Sequence, residues 1–273
     1  MRSSSRITVE LLGCLLIIGL ASAQNSVHAG DGVVSDGVPT LASTWNAGHD
    51  ARIHKASLPK PNPASPASIT RCIGTMVDVT ATSSDERRLV CSAVDLALHA
   101  LGHCGIYPRR PLHVQAVHDV LHPFSGVVLG LFNTRLERVL VTQEANIQHL
   151  TRGTPYGELR QRDFFRSLVV HEVVHAVMIQ NFVQPPTSRS AHEYPAYALQ
   201  LDSLPVEQRK KYLDSVDKGG DSGFFFNDYV LSFNPFLFAA RAYRHFASSS
   251  NSCSRLHATM TGNATFIATV PPL

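Results

Sequence analysis

Three features of the sequence predict an α+β fold. One helical pattern and several short apolar runs with strand character fill the first part of the ordered region, up to about residue 142. A long apolar pattern at helical spacing follows, with the run His171-Glu172-Val173-Val174-His175 in its middle. Several shorter helical patterns come after it. With 273 residues, 44% hydrophobic and 16% charged, the chain is long and apolar enough for one sizeable core.

At the start of the chain, Arg2 and Arg6 precede an apolar stretch from Leu11 to Leu20 that ends in Ala21-Ser22-Ala23. This is the layout of an export signal over residues 1–23, cleaved after Ala23. The stretch is shorter than the about 20 apolar residues that a spanning helix needs. Cys14 follows a small residue, as in a lipoprotein box, but the apolar stretch runs well past it, where such a box should close. The mature protein is therefore expected to be secreted or periplasmic, with no membrane span. Residues 24–68 are rich in Gly, Ser, Ala and Pro, and the segment Leu58 to Pro66 cannot sustain helix or sheet hydrogen bonding. They read as a flexible leader to a domain over residues 69–273.

In that domain Ile73, Thr75, Val77 and Val79 alternate along an expected strand from Cys72 to Thr80. Ser83 and Glu86 have capping-box spacing and open a helix from Asp85 to Leu101, which Gly102 stops. After Pro108 and Pro111 come three strand runs, His113 to Val117, Gly126 to Phe132 and Arg138 to Thr142. The last two are joined by a hairpin turn at Asn133-Thr134-Arg135. Phe164, Leu168, Val169, Val173, Ala176 and Val177 keep one apolar face on a helix from Asp163 to Phe182, ended by Pro185-Pro186. Further helices are expected at Ala191 to Leu201, Val206 to Val216 and Pro235 to Ala247, the last with Asn234 as cap and Pro235 in its first turn.

Without the signal the chain keeps Cys72, Cys91, Cys104 and Cys253. In an exported protein the even count predicts two disulfides, with three pairings open. No Cys-x2-Cys pair is present, which argues against a cysteine zinc site. The net charge of +3 is small, and Lys and Arg are scattered, so no nucleic-acid partner is expected.

Chemistry is concentrated in the central helix. Residues four apart on a helix share a face, so His171 and His175 can close on one ion, Zn2+. Glu172 is turned about 100° from His171, beside the ion and not on it. There it can act as general base on a zinc-bound water whose pKa the metal brings toward about 7, and then protonate the leaving amine. A catalytic zinc has three protein ligands and a water. Beyond the turn at Gln184-Pro185-Pro186, Glu193 is the best-placed third ligand and His192 the alternative. Ser190 and Glu193 also have capping-box spacing, which gives Glu193 a purely structural reading.

The run from His171 to His175 followed by Glu193 resembles the gluzincins, the thermolysin-like zinc peptidases whose third ligand is a glutamate on the next helix. The gap here, from residue 175 to residue 193, is 18. The resemblance spans Ser83 to Ala247, with only its zinc-binding part specific. The segment His192 to Gln200 is similar to one in secreted bacterial proteins of that superfamily. It implies a zincin-like α+β domain with a small, mostly antiparallel sheet, a metal-bearing helix and further C-terminal helices. It also implies one Zn2+ on His171, His175 and Glu193, and cleavage of a peptide or protein substrate with Glu172 as catalytic base. The sequence departs from the family at Tyr197, where thermolysin carries an acid. Met178 and Asn181 stand where the metzincins carry Gly and a third His.

Such a site also needs a donor for a developing oxyanion, for which Tyr194, Tyr197, Tyr229 and His245 are candidates. The run Phe224-Phe225-Phe226 reads as core or as the lining of a substrate cleft, and residues 126–142 offer a strand edge to an extended peptide. The rival expectation is an exported binding or scaffold protein whose zinc site is structural or vestigial. Hydrolysis of a non-peptide amide would use the same residues.

Overall fold

The computed structural model describes residues 69–122, 125–184, 186, 188–217 and 226–267. The expected export signal and leader, together with Pro185, Phe224 and Phe225, lie outside these residues.

The first expected strand is divided. Ile69–Arg71 (β1) pairs antiparallel with Val77–Thr80 (β2), and the residues between them form a turn. Gly74 there has φ 74°, a conformation that costs glycine little, and Thr75 Oγ1 accepts from the Val77 amide at 3.2 Å. Ile73, expected on the strand's apolar face, is 96% exposed. The period-two pattern crossed a turn that alternation alone cannot see.

Helix α1 (Ser84–His103) begins as its cap predicts, with Ser83 Oγ accepting from the Glu86 amide at 3.0 Å. The Glu86 carboxylate does not close on Ser83. It accepts from Thr82 N and Oγ1 and, at 3.0 Å, from the amide of Glu144 at the start of α2 (Glu144–Thr151). α1 returns the chain to the same end of the sheet, so β3 (Leu112–Val117) pairs parallel to β2. The chain then passes through a two-stranded antiparallel ribbon, β4 (Val120–His122) and β5 (Gly126–Val128). It re-enters the main sheet as the hairpin β6 (Gly130–Asn133) and β7 (Arg138–Thr142), with β7 parallel to β3. The strand order is β1-β2-β3-β7-β6. The main sheet is thus mixed, which corrects the expectation of a mostly antiparallel one: helix α1 is a crossover, and only a crossover can set neighbouring strands parallel.

The hairpin turn lies where expected, Asn133 Oδ1 accepting from the amides of Arg135 and Leu136 at 3.0 and 3.1 Å. The run from Gly126 to Phe132 breaks at Leu129 into β5 and β6. There the buried Thr142 ties both segments, its amide donating to Leu129 O at 2.8 Å and its hydroxyl to Val128 O at 3.2 Å.

Helix α3 (Gln161–Asn181) is the centre of the domain, buried on nearly every side from Phe164 to Met178. It packs on α1, β6 and β7 and, across another face, on α4 (Arg189–Asp202). α4 in turn packs on α7 (Pro235–Ala247) and α8 (Ser252–Met260). α5 (Val206–Val216) has the bounds expected of it, and Asn234 caps α7 through the Leu237 amide at 2.9 Å. α2, α6 (Asp228–Phe233) and α8 were not expected, being short and stabilised by packing more than by a pattern of their own.

Two disulfides settle the cysteine pairing. Cys72–Cys91 ties the first turn to α1, and Cys104–Cys253 ties the end of α1 to α8 across 149 residues. Among the described residues, no helix is long and apolar enough to cross a membrane.

Candidate metal centre

The site is built where α3 and α4 face each other. α4 starts two residues earlier than its sequence suggests, because Ser188 is its cap and accepts from the Ala191 amide at 3.3 Å. Asp228 at the start of α6 accepts from the two preceding amides, Arg189 at 3.1 Å and Ser190 at 2.7 Å. Three of the four orphan N–H groups of the helix are thereby satisfied, with a carboxylate at its positive end. Ser190 therefore does not cap the helix, and Glu193 lies in its second turn with its side chain free of any capping role. The capping-box reading of Glu193 is corrected on this point. Asp228 was invisible to sequence reasoning because it arrives from a different helix.

With both helices fixed, His171 and His175 of α3 and Glu193 of α4 converge. His171 Nε2 and His175 Nε2 are 2.9 Å apart, and Glu193 Oε2 lies 3.4 Å from the first and 3.6 Å from the second. A circle through those three atoms has a radius of about 1.9 Å, so one ion at an ordinary zinc bond length of about 2.0–2.1 Å can touch all three. Two imidazoles and a carboxylate are a zinc donor set.

Glu172 lies beside this group, its side chain against Gly130 at the start of β6. His171, Glu172, His175 and Glu193 are each at most 1% exposed. Among the described residues, both oxygens of Glu172, Glu193 Oε2 and His171 Nδ1 have no hydrogen-bond partner. Orphaned acceptors in so buried a place cost several kcal/mol each unless a cation or ordered water meets them, and a divalent ion on the three donors fits that need.

The environment drives the two carboxyls apart. Burial raises the pKa of Glu172 well above the ordinary carboxylate range, and the charge on Glu193 adds to the effect. Burial acts in the same direction on Glu193, but the imidazoles of His175 and His171 beside it outweigh that and hold the group well below that range. The two buried carboxyls are thus shifted in opposite directions. His175 is itself lowered, chiefly by burial.

The other sequence candidates fall in different places. His192 is buried with its ring edge-on to Phe182 at 5.0 Å and stands outside the donor group. Burial, and then the charge of His175, bring its pKa down to about 4. Tyr197 packs its ring on that of His171 at 4.7 Å. Tyr194 and His245 bind each other, hydroxyl to Nδ1, at 2.8 Å. Tyr229 is 61% exposed, its ring tilted against that of Phe233. Of the four oxyanion candidates, Tyr197 is thus in ring contact with a residue of the donor group. Phe226 is buried against Tyr194 and Phe238 as core.

A family model described as a family of unknown function, DUF6639, matches residues 77–269, a span that holds the four site residues and both helices that carry them. The chain belongs to this family. No curated protein and no solved structure matches this DUF6639 chain.

Proposed function

We propose that this DUF6639 protein is an exported zinc-dependent hydrolase of peptide bonds. The observation that carries the reading is the convergence of His171, His175 and Glu193 from two helices with the unpartnered carboxyl of Glu172 beside them. When bound, Zn2+ would polarise a substrate carbonyl and acidify a water molecule. His171 and His175 offer Nε2 and Glu193 offers Oε2 to the ion. Glu172 takes the proton of the attacking water on its carboxylate and gives it to the leaving amine. The two disulfides accord with an exported chain. The test is elemental analysis of the purified mature protein together with a peptide-library digest. The expected result is one zinc per chain and hydrolysis that chelator removes. Glu172→Gln should keep the zinc and lose the activity, and full activity in that variant would refute the mechanism.

One observation favours a second reading, an exported binding or scaffold protein with a structural metal. Closed sites characterise structural zinc, and all four residues here are buried. That protein would bind zinc and lose stability on chelation, yet cleave nothing in the same digest.

A further inference from the structure

We infer that Gly130 is a positioning residue for Glu172, kept free of a side chain so that the carboxyl can lie beside the metal ligands. The inference rests on the hydrolase reading for its function and on packing alone for its geometry. A Cβ placed on Gly130 would lie 2.4 Å from Glu172 Oε1 and 2.7 Å from its Cδ and Cγ. Separations under about 3 Å between such atoms are deep in the repulsive range, so one side must move.

The strand resists the move on its paired side: Gly130 pairs with Val141, and the adjoining Leu129 carbonyl accepts from the amide of buried Thr142 at 2.8 Å. The helix resists it as well, since α3 is enclosed by α1, α4 and the sheet. What can move is the Glu172 side chain, because no described group hydrogen-bonds either of its oxygens. Its carboxyl is held by shape: the bare Cα of Gly130 forms one wall of its slot. A methyl group at position 130 swings the carboxyl out of that slot while leaving His171, His175 and Glu193 in place, as none of these three is on β6. The glycine therefore separates two properties of the site, metal binding and proton handling.

The test is a mutant cycle in the full chain, read by zinc content, thermal midpoint and peptide hydrolysis. Gly130→Ala should retain one zinc per chain and lower the midpoint by about 4–8 °C, the usual scale of overpacking in a domain of this size. In a Glu172→Ala background the same substitution should shift the midpoint by less than a third as much, since the clashing atoms are gone. Glu172→Gln, equal in shape to the native residue, should leave the full shift. If Gly130→Ala does not accumulate as folded protein, its recovery by Glu172→Ala reads the same coupling. On a peptide that the wild type cleaves, kcat of Gly130→Ala should fall at least tenfold with KM unchanged. Glu172→Asp, one methylene shorter, should restore part of it in the Gly130→Ala background. An equal midpoint shift with Ala, Gln and Glu at position 172 would overturn the inference, for the glycine would then serve the strand alone. The cycle also separates the two readings. A coupled pair in a chain that cleaves nothing removes the hydrolase proposal and leaves the slot standing, whereas an uncoupled pair with Glu172-dependent cleavage does the reverse.

Discussion

Replacing Glu193 by Gln is the most discriminating perturbation of the metal centre. The substitution keeps the shape of the side chain and its burial but exchanges a charged donor for a neutral one, 3.4 and 3.6 Å from the two imidazole nitrogens. Zinc on four protein ligands contributes about 10–16 kcal/mol in small zinc domains, or about 3 kcal/mol per ligand. Loss of most of one ligand's share therefore predicts a Kd for zinc weaker by about 10²-fold. The measurement is competition against a chromophoric chelator near neutral pH, with His192→Ala as the comparison. His192 stands outside the donor group, so its removal should change the affinity by less than about threefold, the small effect of a neighbour that does not bind the ion. Zinc affinity unchanged in Glu193→Gln but weakened in His192→Ala would refute the assignment and move the third ligand one residue back along α4.

Two further predictions concern the scaffold that holds the site. Asp228→Ala removes the acceptor for two amides at the start of α4, 3.1 and 2.7 Å away, and should cost about 1–2 kcal/mol by denaturant titration. It should also weaken zinc binding, because it loosens the helix that carries Glu193. In the chain-entropy account, the crosslink that spans 149 residues constrains the unfolded chain more than the one that spans 19. Converting Cys104 and Cys253 together to Ser should therefore destabilise by about 5 kcal/mol, against about 3 kcal/mol for Cys72 and Cys91 converted together. Equal midpoints for the two double variants in guanidinium would contradict that order.

The parts of the fold that were legible in the sequence are those held by local signals. Ser83 announced α1, Asn234-Pro235 announced α7, and the apolar face from Phe164 to Val177 announced α3. Glu193 could be singled out because the histidine run says that a third donor must arrive, and the next helix is the nearest source. What escaped depends on residues far apart in the chain. The cysteine pairing had three solutions until the fold brought Cys104 to Cys253. Ser188 and Ser190 are equally good caps by type, and Asp228 from α6 coincides with the choice of the first. The first strand failed at Gly74, where a turn has the same alternation as a strand. Gly130 carried no signal at all, since a glycine in an apolar run acquires meaning only when Glu172 is known to lie against it.

The energetics of the centre lead to one more expectation. Glu172, Glu193, His171 and His175 bring two carboxyls and two imidazoles into a space at most 1% exposed, and four of their polar atoms have no hydrogen bond among the described residues. Each such group loses hydration on folding, and carboxyls that face each other repel, so this part of α3 and α4 opposes folding unless a cation joins it. A bound ion reverses the balance in proportion to its occupancy. At a free zinc concentration about 1,000 times Kd the native state gains about 4 kcal/mol, which for a domain of this size raises the thermal midpoint by about 8–16 °C. Chelator should take that increment away and zinc should return it, by differential scanning calorimetry on the disulfide-intact chain. The shift should shrink in His171→Ala, where one donor is missing. Removal of the metal, verified by elemental analysis, with no change in the midpoint would mean that the ion does not bind between the two helices, because an ion seated there cannot leave without exposing α3 and α4 to that cost.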